Sequence, residues 1–167
     1  MENRVYTISE DVIASQGQRF GNFIIDFVAR LIITFIVGML LAILAQLTEQ
    51  PGITDWLTNM GRITEYLVDF AFMLIYYIIM ETLFSRSIGK YITKTIVVME
   101  DGSKPDAATI IKRSFCRYIP FDGLSFFGTP SRGWHDSISN TYVVRKEDFE
   151  REKELFYSFE QIGNSEN

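Results

Sequence analysis

RFGNFIIDFVARLIITFIVGMLLAILAQL, residues 19–47, is the longest apolar run in the chain, and it begins with charge. Its apolar part, residues 24–47, would form about 36 Å of helix at about 1.5 Å per residue, enough to cross the hydrocarbon core of a bilayer. Because charge is costly in hydrocarbon, polar residues on such a helix need protein partners or water. Four of them share one helical face: Arg19, Asn22, Asp26 and Arg30.

A second apolar block, ITEYLVDFAFMLIYYIIMETLF at residues 63–84, is also long enough to span a bilayer. The Pro-Gly pair at residues 51–52 breaks the first helix, since proline cannot continue the helical hydrogen-bond ladder. Two spans joined by a short loop are antiparallel neighbours. Glu81, near the end of the second span, then lies at the depth of Asp26, and we predict that it pairs with Arg19 or Arg30. Asp69 is predicted to occupy a separate site near the opposite side.

Basic residues flank the two spans on one side, whereas the connecting loop offers only Arg62. The positive-inside rule therefore predicts that both termini are cytoplasmic. The single cysteine, Cys116, excludes an intramolecular disulfide and fits a reducing compartment. Residues 1–18 lack the basic and apolar regions of a cleavable signal peptide, so we interpret the first span as an uncleaved anchor.

After the second span the chain is amphipathic, and its apolar runs are too short to cross a membrane. Residues 95–98 (TIVV) echo residues 141–144 (TYVV), and these β-branched segments either pair as short strands beside the membrane or form unrelated extended linkers. Asp106 is expected to cap a helix that ends near Tyr118. Together with the aromatic stretch that follows, this helix forms a predicted interfacial segment at residues 106–127. The helix suits a membrane surface, and the aromatic stretch, which is too short to span, is placed at the interface or against the two spans.

These features predict a mainly α membrane protein: an antiparallel two-helix transmembrane hairpin with amphipathic interfacial helices and a short cytoplasmic β-strand pair. The chain divides into an N-terminal cytoplasmic arm (residues 1–18), a membrane domain (19–144) and a charged cytoplasmic tail (145–167). The formal net charge of −5 combines a basic middle with an acidic tail, so it identifies no partner by itself. The lipid bilayer is the first partner that the sequence predicts.

Three short motifs occur in order along this domain. They are Gln18-Arg19-Phe20 leading to Ile25-Asp26, Ile88-Gly89-Lys90 with Ile96-Val97-Val98, and Gly133-Trp134-His135-Asp136 leading to Thr141-Tyr142-Val143-Val144. Together they resemble the RDD family of membrane proteins, which is named for one arginine and two aspartates. The resemblance covers most of residues 16–144 and assigns those positions to Arg19, Asp26 and Asp136.

The resemblance implies a protein of the bacterial plasma (inner) membrane and a role in transport, including cation and proton exchange in some members. The chain departs from many relatives in one respect, because it has no long third apolar span between Lys112 and Ser131. A three-helix architecture is therefore not carried over from the family.

The residues themselves allow two interpretations of each motif aspartate. Asp26 either exchanges a proton or a monovalent cation such as Na⁺, or pairs with the neighbouring arginines and locks helix packing. His135 and Asp136 either handle protons together, or form a turn in which Asp136 caps a helix or meets Arg19.

Other site types are excluded or left with a simpler explanation. Five basic residues are candidates for anionic lipid headgroups, although positive-inside topology also accounts for several of them: Lys90, Lys94, Lys112, Arg113 and Arg117. A lone histidine without a histidine or cysteine cluster predicts no metal site, and no nucleophile has a convincing base, so we expect neither an enzyme nor a cofactor. No motif that enters a nucleic-acid groove is present, which argues against nucleic acid as a partner.

The function that we expect is transport of ions or small solutes, of the cation/proton exchange type. One hairpin has too few helices to enclose a pathway, so the working unit would be a homo-oligomer. A proton or monovalent cation would bind at Asp26, with supporting residues Asn22, Arg30, Glu81 and His135. The alternative is a membrane-anchored interaction or assembly module that docks a membrane partner protein and transports nothing.

Overall fold

A computed structural model describes residues 6–49 and 51–165. The first five residues of the predicted arm and the last two of the tail lie outside the described residues. The first five include Arg4, one of the basic residues that flank the first span. The described chain is mostly helical and contains one two-stranded sheet. Its elements are a 3₁₀ turn Glu10–Val12, α1 Gln16–Leu47, α2 Pro51–Thr58, α3 Arg62–Phe84, α4 Ile88–Ile92, β1 Thr95–Met99, α5 Ala107–Cys116, a 3₁₀ turn Asp122–Phe127, α6 Trp134–Ile138, β2 Thr141–Arg145 and α7 Lys146–Ser165.

Two helices, α1 and α3, are long and apolar enough to cross a membrane. α1 begins before the predicted span because Ser15 and Gln18 form a capping box: the Gln18 amide donates to Ser15 Oγ at 3.2 Å, and the Ser15 amide donates to Gln18 Oε1 at 3.0 Å. The added turns carry Arg19 and Asn22. α3 matches the second predicted span and ends at Ser85, which adopts the left-handed conformation of a helix C-terminus.

α1 and α3 run in opposite directions, as predicted for the helix pair. Tyr76 of α3 donates to Asp26 of α1, and farther along α1 Arg30 lies 3.7 Å from Asp69. Asp69 does lie in a site separate from Asp26, but the prediction that this site is near the opposite side is wrong, since the Asp69 carboxylate faces Arg30, one turn beyond Asp26. The connection between the two helices contains α2, because Pro51 stands in the first turn, where proline's missing N–H costs no hydrogen bond.

The predicted strand pair is confirmed. β1 and β2 are antiparallel, with Thr95 opposite Arg145 and Met99 opposite Thr141. The N-terminal arm, for which the sequence predicted no contact with the rest of the chain, packs against this sheet. The Ala14 amide donates to the Val143 carbonyl at 2.9 Å, and the arm's Tyr6 and Val12 are buried with Phe149 of α7. Arm, sheet and tail therefore share one small hydrophobic core.

α5 begins at the predicted cap, where Asp106 accepts a hydrogen bond of 2.8 Å from the Thr109 amide. It packs against α3 and buries Ile110 and Arg113 completely. The helix that was predicted to suit a membrane surface thus packs against the helix pair. The last motif, at residues 133–136, forms the beginning of α6, whose first turn contains the Asp136 carboxylate.

Candidate functional site

Six charged side chains converge where one end of α1 and α3 meets α4, α5 and α6. We call them the charge cluster: Arg19, Glu81, Lys90, Arg113, Arg117 and Asp136. Glu81, Arg113 and Asp136 are 0% exposed. Charges that are removed from water this completely must be paired, because an unpaired buried charge costs several kcal/mol or more.

Glu81 binds three cationic groups. Lys90 Nζ lies 2.9 Å from its Oε1, Arg113 Nε lies 3.0 Å from its Oε2, and Arg117 Nη2 lies 2.8 Å from its Oε1. Burial lowers the pKa of Lys90, and the neighbouring Glu81 carboxylate opposes that effect by favouring the charged amine. The ion pairs tie α4 and α5 to the end of α3.

Asp136 joins the arginine of the first motif to the aspartate of the last. Its carboxylate pairs with both Arg19 and Arg113, and it also accepts a hydrogen bond of 3.0 Å from the Gly133 amide. Burial would raise the pKa of Asp136, but the two guanidinium groups hold that pKa well below its usual range. Arg113 therefore bridges Glu81 and Asp136, so the cluster is one continuous network.

Asp26 lies apart from these ion pairs, although it is only 2% exposed. Its donors are neutral: Tyr76 Oη at 2.8 Å, Ser87 Oγ at 2.5 Å, the Gly89 amide at 2.7 Å and, at the longer distance of 3.5 Å, Tyr77 Oη. No lysine, arginine or histidine nitrogen of the described residues lies within 4.0 Å of it. Asp26 thus connects α1 to α3 and α4 through hydrogen bonds alone.

Asn22 occupies the same face of α1, one turn before Asp26. Its amide nitrogen donates to Thr95 Oγ1 at 3.1 Å, and its amide oxygen accepts from Thr93 Oγ1. Gly89 lies directly on the Asn22 backbone, so that a Cβ at this glycine would stand 2.5 Å from the Asn22 carbonyl oxygen. This close approach lets α4 reach Asp26 with its backbone amide.

His135 is fixed between two carboxylates. Its Nδ1 lies 2.6 Å from Asp122 Oδ2, its backbone amide donates to Asp122 Oδ1 at 2.9 Å, and its Nε2 lies 3.4 Å from Asp136 Oδ1. Burial lowers the pKa of His135 to about 4, so the imidazole is neutral at pH 7 and Nδ1 carries the proton that Asp122 accepts. The two hydrogen bonds to Asp122 tie the start of α6 to the 3₁₀ turn Asp122–Phe127.

A cavity of about 110 Å³ lies in the middle of these groups. Its lining includes Arg19, Asp26, Lys90, Arg113, Arg117 and Asp122. Three lining arginines, Arg19, Arg113 and Arg117, each keep at least one guanidinium nitrogen without a partner among the described residues. A polar space of this size has room for water molecules that would satisfy these donors.

The structure corrects three placements made from the sequence. Glu81 pairs with neither Arg19 nor Arg30, because Lys90 of α4, Arg113 of α5 and Arg117, just after α5, surround it. Arg30 belongs to the pair with Asp69 and not to the Asp26 site. Lys90, Arg113 and Arg117 point inward onto Glu81 and cannot reach lipid headgroups. Lys94, which pairs with Glu147, and Lys112 are exposed, and their contact with headgroups stays a prediction.

Sequence reasoning missed the hydroxyl and amide donors of Asp26 and the partner of His135: Tyr76, Ser87, Gly89 and Asp122. One signal was available. Met73, Tyr77 and Glu81 recur at a spacing of four residues and form the buried face of α3, so a scan for that period would have found the helix face from which Tyr77 reaches the cavity. Nothing local marks Asp122, which is 13 residues from the histidine that it binds.

Comparison with known protein families confirms the resemblance that the three motifs indicated. The model of the RDD family matches residues 13–140 of the chain. This range contains α1, α3, the charge cluster and the Asp26 site. Comparison with curated proteins and with solved structures gives no match.

Proposed function

The chain belongs to the RDD family, and from this premise we propose that it is an integral membrane protein that binds a proton or a monovalent cation at Asp26 and moves it across the bilayer as an oligomer. The single observation that carries the proposal is the buried Asp26 carboxylate, which has only hydroxyl and amide donors around it.

Membrane insertion is supported by the surface of the two long helices. In the most apolar 18-residue stretch, 0% of α1 and 11% of α3 is buried by the rest of the chain. Residues such as Leu31 (51% exposed) and Phe35 (73% exposed) would face water in a soluble protein. Each Å² of apolar surface left in water costs about 25 cal/mol, so lipid is the natural environment of these helices. The basic flanks favour cytoplasmic termini in a bacterial plasma membrane.

Two carboxylates, Asp26 and Asp122, line the cavity, and two more, Glu81 and Asp136, pair with the cations that line it. Glu81 and Asp136 pair with Lys or Arg, and Asp122 binds His135. Asp26 is the carboxylate of this set whose charge can be neutralised without breaking a contact to a basic side chain. Oxygen atoms of Tyr76 and Ser87 stand beside it, and hard cations such as Na⁺ prefer oxygen ligands. Alternate binding of a proton and a cation is the minimum requirement for exchange.

An oligomer follows from the number of spans. Each chain contributes two candidate membrane helices, which leave the Asp26 site at one end of the pair without an enclosed route to the other side. A second or further copy would have to supply the missing walls.

The test is a flux measurement on purified protein in liposomes that contain a pH-sensitive dye. We expect gradients of Na⁺, K⁺ or Li⁺ to drive proton movement, and Asp26→Asn to reduce it at least about tenfold. Asp55→Asn, at an exposed position in α2, is the matched control and should keep the wild-type rate. Gel filtration and thermal melting show whether each variant is folded. Absence of flux with all three cations from folded protein, or equal flux in Asp26→Asn, contradicts the proposal.

A second candidate function, a membrane-anchored assembly module, is favoured by α7. This helix exposes Leu155 (53%), Tyr157 (46%) and Phe159 (70%) on an otherwise acidic tail, a composition suited to docking a partner protein. Crosslinking in native membranes should then recover one stoichiometric partner that Phe159→Ser releases. In that case Asp26→Asn would have no flux to abolish.

A further inference from the structure

We infer that residues 115–128 form a loop that dips into lipid hydrocarbon from the side of the sheet and returns to that same side. We call it the dipping loop. The inference rests on the proposed membrane insertion of α1 and α3 and adds a third membrane contact that neither the charge cluster nor the Asp26 site requires.

The chain reaches the dipping loop by running along α3 from its last turn toward its beginning. Lys104 Nζ donates to the Leu83 carbonyl at 3.3 Å, and the Arg113 guanidinium then meets Glu81 at 3.0 Å. Tyr118 finally packs its ring on Phe70, with 4.3 Å between the centroids. From residue 83 to residue 70 of α3 is about 20 Å along the helix at about 1.5 Å per residue. The path therefore leads into the depth of the apolar span.

The chain returns along α1. Gly123 lies so close to Phe23 that a Cβ would stand 2.7 Å from the ring, and the Phe127 ring centroid is 6.2 Å from that of Phe20. Gln16, in the first turn of α1, donates to the Phe127 and Gly128 carbonyls at 3.1 Å each. Because β2 then pairs with β1, the chain leaves on the side from which it came.

Four backbone amides of the turn have partners within it, which favours hydrocarbon, where unpaired N–H groups find no partner. The amides of Tyr118 and Ile119 donate to the carbonyls of residues 115 and 116, at 3.0 and 3.1 Å. Those of Asp122 and Leu124 donate to the carbonyls of residues 119 and 121, at 3.0 and 2.9 Å. Pro120, between them, has no N–H to satisfy.

Side chains of the dipping loop are sorted by polarity. Arg117 turns inward onto Glu81 and the Tyr77 ring, 3.9 Å from its centroid, and Asp122 turns inward onto His135. The outward side chains are apolar or aromatic and substantially exposed: Phe115 (51%), Tyr118 (46%), Phe121 (79%), Leu124 (49%) and Phe127 (52%). This surface continues the exposed apolar face of α1 at Phe20 and Phe23, so the same lipid would cover both.

Tryptophan quenching by lipids brominated in the acyl chain tests the inference in liposomes of full-length protein. The background removes the native fluorophores with Trp56→Phe and Trp134→Phe. Phe121→Trp reports the tip of the dipping loop. Phe35→Trp in α1 is the positive control, and Phe159→Trp in α7, which is 70% exposed, is the negative control. We expect brominated lipid to at least halve the fluorescence of the Phe121→Trp and Phe35→Trp proteins and to leave that of Phe159→Trp unchanged.

The controls separate the dipping loop from the membrane insertion of α1 on which it rests. Quenching at position 35 with none at position 121 would overturn the dipping loop and leave the membrane insertion of α1 intact. No quenching at either position would overturn both. If Phe121→Trp does not fold, Leu124→Trp places the probe on the same exposed surface and is read in the same way.

Discussion

Glu81 combines complete burial with three cationic partners, which makes it the most sensitive side chain of the charge cluster. Glu81→Gln removes the charge and leaves the partners buried without it. Breaking a buried ion pair in this way costs about 3–5 kcal/mol. We expect the thermal midpoint of the protein in detergent to fall by about 6 °C or more.

Glu65→Gln is the control for this prediction, because Glu65 is an exposed glutamate on the same helix. Surface substitutions of this kind usually change stability by less than about 0.5 kcal/mol. Equal midpoints for Glu81→Gln and Glu65→Gln would mean that the ion pairs around Glu81 add little to the folded state.

His135 makes the stability of the fold depend on pH. Its pKa is lowered by burial to about 4 in the folded protein, against 6.5 for an unperturbed imidazole. The unfolded chain therefore takes up a proton first as pH falls, so stability is complete above pH 6.5 and is lost progressively toward pH 4. Between pH 7 and pH 5 the loss should be about 2 kcal/mol.

His135→Asn tests whether His135 causes the loss of stability at low pH. The asparagine amide N–H can still donate to Asp122, but the side chain no longer titrates. The thermal midpoint of the variant should change less between pH 7 and pH 5 than that of the wild type. Parallel pH curves for the two proteins would assign the acid sensitivity to other groups.

The sequence predicted which residues of α1 are buried, but not which residues they and Glu81 contact. The helical period places Arg19, Asn22 and Asp26 on one face, and all three are buried in the structure. The partner of Glu81 was wrong because a depth argument for two helices cannot include α5, which arrives from residues 107–116 and carries Arg113. Local pattern identifies a polar face, whereas its partners depend on tertiary contacts.

The contact between α1 and α4 depends on one glycine. A Cβ at Gly89 would stand 2.5 Å from the Asn22 carbonyl oxygen and 2.9 Å from its Cα, and both of these are backbone atoms that cannot rotate away. Gly89→Ala should therefore push α4 off α1 and weaken the hydrogen bond from the Gly89 amide to Asp26. We expect a loss of about 1–3 kcal/mol, seen as a lower thermal midpoint.

Gly38→Ala is the matched change within α1, where a Cβ would meet nothing within 4 Å. Alanine is the better helix former, so this variant should be neutral or more stable by up to about 1 kcal/mol. Equal losses for the two alanines would contradict the close-approach explanation.

Elements with a strong local signal agree with the structure. The strand pair was marked by a repeated β-branched tetrapeptide, and α5 by its Asp106 cap. α2 was missed because Pro51 was taken only as a helix breaker, although the first turn of a helix accepts proline. The arm was missed because Tyr6 and Val12 have no helical or strand period. They are buried only because Phe149, more than 130 positions away in sequence, lies beside them.

Polar contacts of the whole chain are concentrated at one end of the helix pair. The charge cluster, the Asp26 site and the sheet all lie at the start of α1 and the end of α3. Farther along, Arg30 and Asp69 form a charged contact between the two helices. This asymmetry fits an anchor whose folded core lies on one side of a membrane, with lipid covering the rest.

The same asymmetry predicts the topology of the chain. The arm residue Tyr6 and the tail residue Phe149 are buried together, so the described part of the arm and the start of α7 lie on the side of the sheet. The basic residues that follow α3 favour the cytoplasm for that side. A green fluorescent protein attached to either terminus should therefore be bright in bacteria, whereas an alkaline phosphatase inserted in the turn at residues 59–61 should be active, because it works only after export. Alkaline phosphatase fused to each terminus in turn supplies the contrary outcomes. If the fusion to one terminus is active and the fusion to the other is not, the shared core of arm and tail is contradicted. If both terminal fusions are active, the orientation in the membrane is reversed and that core stays in place.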